Sequence, residues 1–209
     1  MKKLKLTVFL SALMMLAPLT SNAQYLGVGT NVLGWAAATP NLGLDIGLGK
    51  HLGLVLDGFV NPFDIGPKKA NFWAVQPELR IYPRYRFAGH YIGVEGHFAM
   101  YNDFGLKDYA YRGMLYGGGL SYGYSWMLSK SWNLEGFIGL GYTYLNDRDV
   151  IAYDPADEAY GSSFLSDEAR IFMNKGVHTA ASGLYIGDGL HRQYIGLSRI
   201  GLKFTYFLF

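Results

Sequence analysis

The chain has 209 residues, half of them hydrophobic, with 28 glycines and no cysteine. Without cysteine there are no disulfides, no thiolate metal sites and no lipidated N-terminus. Three of the 18 basic residues head an export-type segment; the other 15 face 16 acidic residues, so no nucleic-acid partner is implied.

Met1 to Ala23 reads as a signal peptide. Lys2, Lys3 and Lys5 form its positive end, Leu6 to Leu19 its apolar stretch, and Ser21-Asn22-Ala23 its cleavage site. Cleavage after Ala23 makes Gln24 the mature start, and residues 24–209 form one domain. The stretch is too short and too cleavable for a membrane anchor, and no later apolar run is long enough for a spanning helix. A membrane-crossing chain of this kind crosses as strands. Glycine at 28 of 209 is also about twice its usual share of roughly 7%.

Period-two alternation marks eight strands in chain order. The first, Gly27–Ala38, has a mixed pattern around Asn31 and Trp35. The second, Asn41–Gly49, sets Leu42, Leu44, Ile46 and Leu48 against Asp45 and small residues. The third, Leu52–Asn61, sets Leu52, Leu54 and Leu56 against Asp57. The fourth, Phe72–Arg84, sets Trp73, Val75, Leu79 and Ile81 against Gln76, Glu78 and Arg80; Pro77 lies within it and predicts a bulge or register shift. The fifth, His90–Asn102, opposes Ile92, Val94, Phe98 and Met100 to Glu95 and His97. The sixth, Gly113–Leu128, alternates Tyr116, Leu120, Tyr122 and Trp126 with Gly117, Gly119, Ser121, Gly123 and Ser125. The seventh, Trp132–Leu145, alternates Leu134, Ile138, Leu140, Tyr142 and Tyr144 with Asn133, Glu135, Gly139 and Thr143. The last, Tyr194–Phe209, sets Ile200, Leu202, Phe204, Tyr206 and Leu208 against Arg199, Lys203 and Thr205. A closing aromatic strand ending on Phe resembles the signal read by the outer-membrane barrel-assembly machinery. It departs from that signal at Phe204, where Gly is usual, and at Leu208, which takes the outward place.

Connections alternate between short (50–51, 85–89, 129–131) and long (62–71, 103–112, 146–193), with Thr39-Pro40 the one brief member of the long class. Tight inner turns and long outer loops belong to transmembrane barrels. Aromatics fall at both ends of the apolar faces: Trp126, Trp132 and Tyr206 at the short-turn end, and Trp73, Tyr116, Tyr142, Tyr144 and Tyr194 at the other. Such girdles mark the two lipid interfaces. The expected fold is therefore all-β, an eight-stranded antiparallel transmembrane barrel in the outer membrane, with a large extracellular loop over residues 146–193.

Several segments resemble a Bacteroidota family, domain-of-unknown-function family 3575. They are Thr39-PNLGLDIGL-Gly49, Asn61-Pro62-Phe63, Trp73-AVQPELR-Ile81, Tyr116-GGGLSYGYSW-Met127 and Trp132-NLEGFIGLGY-Thr143. The resemblance covers most of residues 25–145 and the final strand. It implies an exported outer-membrane barrel, sometimes encoded beside surface-fimbria genes, and it supplies no activity. The segment Asn146–Gln193 exceeds the family's usual final loop, so a function special to this member would sit there.

Asp45, Asp57, Glu78, Arg80, Glu95, His97, Glu135, Arg199 and Lys203 point inward in this scheme. An eight-stranded lumen is only wide enough for side chains, so these groups should pair across it as a rigid polar plug. Pairing of Glu78, Glu95 or Glu135 with Arg80 or Arg199 is the specific expectation. A proton or ion path is the functional alternative. Glu95 with His97 raises a second, a lipid-modifying enzyme, although Ser121 and Ser125 are the only inward serines on the next strand. A small pore is the third.

The five histidines (His51, His90, His97, His178, His191) form no metal-type pair, and no cofactor is indicated. In the long loop, Asp147, Asp149, Asp154, Asp157 and Glu158 accompany Tyr153 and Tyr160, as solvated acids or a cation site. Ser166 to Gly176 reads as a short helix folding over the barrel mouth. The composite expectation is a non-catalytic structural or surface-interaction protein. Its partners are outer-membrane lipid and, through residues 146–193, an envelope or fimbrial protein.

Overall fold

A strand with one apolar and one charged face needs two different surroundings, and closing a sheet on itself provides them. The computed structural model describes residues 26–61, 64–65, 68–106, 109–152, 175–180, 183–188 and 191–208. Its strands are β1 (Leu26–Asn31), β2 (Asn41–Gly47), β3 (Leu52–Asn61), β4 (Asp64–Ile65), β5 (Lys68–Ile81) and β6 (Gly89–Leu106). They continue with β7 (Tyr109–Met127), β8 (Trp132–Ala152), β9 (Lys175–Ala180), β10 (Gly183–Asp188) and β11 (His191–Phe207). One short helix, α1 (Val32–Ala36), follows β1.

Eight strands form an antiparallel ring in the order β1-β2-β3-β5-β6-β7-β8-β11, and β1 closes it by pairing with β11. β4 forms a small hairpin with β5, and β10 and β9 continue the sheet from the upper edge of β11. The ring's polarity is inverted relative to a globular core. Leu42, Ile92, Val94, Leu120 and Leu140 are 60–63% exposed on its outside, while Asp45, Arg80, Glu135 and Lys203 are fully buried inside. β7 and β8 approach closely at their glycines. There a Cβ added at Gly119 would fall on the Leu140 carbonyl oxygen and within 2.7 Å of Gly141 Cα.

The ring corrects four sequence expectations. The first strand stops at Asn31, not Ala38. Gly27 and Gly29 face the inward Thr205 and Lys203, so continuing in register would drive Leu33 and Trp35 into the polar lumen. The helix keeps both side chains outside instead, Leu33 at 43% and Trp35 at 55% exposed. Pro77 causes no shift: Val75↔Phe98 and Glu78↔Glu95 keep one register, and only the intervening rungs are lost. The shift on β5 lies at Asn71/Phe72 instead. Strands β5 to β8 run well past their expected outer ends, so the long connections are shorter than the sequence suggests. Finally, Lys175 and Gly176 open β9 and do not end a helix; residues 166–174 of that helix, like the signal peptide, lie outside the described residues.

The seam is closed by side chains as much as by ladder. Asn31 Oδ1 accepts from Leu33 N (3.1 Å), capping α1, and from Leu202 N (3.1 Å) on β11. Its Nδ2 donates to Ile200 O at 3.3 Å, and Asn41 clasps its backbone through Oδ1 (2.6 Å) and Nδ2 (2.9 Å). Replacing Asn31 by Ala removes three side-chain bonds, each with a net value of about 1 kcal/mol. The N31A barrel should therefore unfold in urea with a stability loss of about 2–3 kcal/mol. A loss below about 0.5 kcal/mol would refute the clasp.

Candidate functional site

The lumen is filled in layers. At the end of the short turns lies an aromatic floor of Tyr82, Phe87, Tyr91, Phe137 and Phe207, all buried. Phe87 reaches it from the β5–β6 turn through a left-handed backbone (φ 57°), and Asn133 Nδ2 fixes that turn by donating to Phe87 O at 3.1 Å. The Phe87 ring packs, tilted, at 4.8 Å from that of Phe207, and Tyr82 lies 5.3 Å from Tyr91. Gly123 is required here, because a Cβ would sit 2.6 Å from Tyr91 Cζ.

Above the floor runs a continuous ion network. Arg80 pairs with Glu78 (2.8 Å) and Glu135 (2.6 Å), its guanidinium 4.3 Å from the Tyr91 ring centroid. Arg199 donates to Glu78 (2.6 Å) and Asp57 (3.0 Å), lies 3.4 Å from Glu95, and rests over Phe137. Lys203 joins Asp45 (2.6 Å) and Asp57 (2.7 Å), and Thr205 donates to Asp45. Ser121 donates to Glu78 and Ser125 to Glu135. Glu78, Glu95 and Glu135 thus each lie against Arg80 or Arg199, and each arginine bridges several carboxylates.

The third layer contains Glu95, His97, Thr143 and Ser198. Ser198 donates to Glu95, and His97 Nε2 lies 2.7 Å from Thr143 Oγ1. His97 Nδ1 is buried without a hydrogen-bond partner, so no carboxylate orients the ring as a catalytic base requires. At the mouth, Asp147 accepts from Tyr101 (2.6 Å) and from Arg192 (2.7 Å), tying β6, β8 and β11 together. Asp147, read in the sequence as a loop acid, is therefore a buried strand residue at 2% exposure. Asp154, Asp157, Glu158, Tyr153 and Tyr160 lie outside the described residues.

Of the aromatics expected at the rims, Trp73, Tyr116, Trp126, Trp132, Tyr142 and Tyr206 are 42–50% exposed on the outer wall. Tyr144 lies among them, 5.4 Å from Tyr116. Tyr194 does not. A bulge between Leu197 and Arg199 reverses the alternation above it, so Tyr194 is buried and donates to Leu197 O, while Ile195 takes the outer place. The same bulge brings Ser198 to Glu95, a contact that unbroken alternation conceals. The floor aromatics were not singled out, although Tyr82, Tyr91, Phe137 and Phe207 share the parity of the inward charges on their strands; only Phe87 lies in a turn where period two gives no signal.

Residues 8–163 match the family described as protein of unknown function, DUF3575. The chain belongs to this family. No curated protein and no solved structure matches it. Within the family match lie β1 to β8 and the carboxylate side of the ion network, whereas Arg199 and Lys203 on β11 follow it.

Removing one partner from a buried pair leaves an uncompensated charge, at a cost of about 3–5 kcal/mol. Lys203→Met should lower unfolding stability by that order, and adding Asp45→Asn and Asp57→Asn should restore a large part. If K203M unfolds like the parent barrel in urea, the ammonium is not holding the two carboxylates.

Proposed function

We propose that the chain is a non-catalytic outer-membrane barrel, a structural or surface-interaction protein of the cell envelope. The inverted polarity of the closed ring carries this reading. An outer wall of exposed Leu, Ile and Val, edged by Trp and Tyr, is stable against acyl chains and costly in water. Closing the ring leaves no open sheet edge below Lys203, which hydrocarbon requires. The turns at 48–51, 82–88 and 128–131 then face the periplasm, and the connection between β8 and β11 faces outward.

Two features favour a scaffold over an enzyme or a pore. His97 lacks an orienting acid on Nδ1, and the aromatic floor with the ion network fills the lumen. The signal peptide delivers the chain to the assembly machinery, and the segment between β8 and β11 offers the surface for an envelope or fimbrial protein.

The refolded barrel should migrate faster on gels unboiled than boiled and should float with liposomes. Identical migration and no flotation would sink the membrane reading. In planar bilayers it should stay electrically silent; stepwise conductance would turn the reading toward a pore. Deleting residues 153–190 should leave the heat shift intact and abolish cross-linking to the envelope partner seen with the full chain. Unchanged cross-linking would move the interaction surface elsewhere.

A further inference from the structure

The seam between β1 and β11 is the one place in the ring where the wall changes construction. Ladder pairing runs from Gly27↔Phe207 to Asn31↔Lys203 and stops. On the same edge of β11, pairing resumes with β10 at Gly183↔Gly196. From Leu197 to Leu202 no strand among the described residues flanks that edge, a length of about 20 Å at strand rise. Asn31 answers Ile200 O and Leu202 N there, and α1 packs alongside with Val32, Leu33 and Trp35 outward. Displacing α1 breaks no rung of the ring.

Directly behind this edge is the third lumen layer, reached through the Ser198 bulge. Over the lumen as a whole, among the described residues, the buried charges do not balance. The lumen holds the carboxylates of Asp45, Asp57, Glu78, Glu95 and Glu135 against the cations of Arg80, Arg199 and Lys203. Glu95 has the longest cation contact of the five, 3.4 Å to Arg199 Nε, and that nitrogen makes no hydrogen bond. His97, 8% exposed, leaves Nδ1 unpartnered. In the tautomer whose Nε2–H donates to Thr143, Nδ1 is an acceptor. Glu95, Ser198 and His97 thus offer acceptors and surplus negative charge, where an ammonium brings three donors and one positive charge.

We propose that the β1/β11 seam is a lateral entrance from lipid. Behind it, Glu95, Ser198 and His97 receive the primary-ammonium headgroup of an amphiphile whose chain stays in the bilayer. The proposal rests on the membrane reading above. The acid surplus disfavours an anionic headgroup, and no group of three or more His, Asp or Glu among the described residues suits a metal ion.

The chain lacks cysteine, so Ser198→Cys in the full chain, reconstituted in liposomes, is a single-target reporter. It should react with a lipid-partitioning maleimide faster than with a sulfonated, water-confined one. Dodecylamine should slow that reaction about tenfold, dodecanol should not, and adding Glu95→Gln should cancel the protection. Thr143→Cys reads the same layer from β8 if S198C folds poorly. Preferential reaction from water overturns the entrance, as does no reaction from either phase. Absence of protection, equal protection by dodecanol, or protection surviving E95Q overturns the ammonium site. Flotation is scored on the same samples: a barrel that floats but fails these tests loses only the entrance, whereas a wild type that does not float loses both readings.

Discussion

Arg199 reaches across the lumen from β11 to carboxylates on β3, β5 and β6, and the rest of the molecule is arranged so that it can. Arg80 makes the corresponding crossing from β5 to Glu135 on β8, and Lys203 from β11 to β2 and β3. None of these crossings exists in an open sheet, where the same groups would face water on separate strands. Burying them singly costs several kcal/mol per ion, so neutralisation and ring closure have to happen together. The charged interior therefore acts as a check on correct closure: a misregistered wall leaves carboxylates without their cations.

The neighbouring layers protect this arrangement from water at one end and fix its height. Tyr91 and Phe137 lie against the two guanidiniums, so the aromatic floor is both a seal and a cation–π partner. The mouth is tied by Asp147, Tyr101 and Arg192 across three strands. Between floor and mouth Arg80 Nη2, Arg199 Nε and His97 Nδ1 lack hydrogen-bond partners, and the last two belong to the Glu95 layer, beside the stretch of seam that no ladder among the described residues covers.

Much of the ring was legible because period-two alternation is a direct consequence of strand geometry. Asp45, Asp57, Glu78 and Glu135 could be assigned inward from their neighbours alone, and their burial follows from that face. Three features were not legible for a common reason: each breaks the period. The bulge at Ser198 reverses the upper half of β11 and turns Tyr194 inward. Asn31 ends its strand because the next inward residues are too apolar for the lumen, a conflict visible only once the lumen is known to be charged. Phe87 reaches the core from a turn, where backbone handedness and not alternation sets its direction. Pro77 suggests a bulge or a register shift, yet it faces outward and costs only local pairing.

The ring strands are very unequal in length, from six residues in β1 to 21 in β8. At strand rise these correspond to about 20 Å and about 70 Å. A hydrocarbon layer takes roughly 25 Å of wall height. On the membrane reading proposed above, which puts the belt of Leu140, Leu120 and Val94 in that layer, β6 to β8 stand beyond it as a fin on one side of the ring. On that reading the chain leaves β8 at the end of the fin, away from the apolar belt. Reach of this kind gives a surface segment contact with objects above the membrane plane without asking it to be long or flexible, and it fixes the side from which they are met.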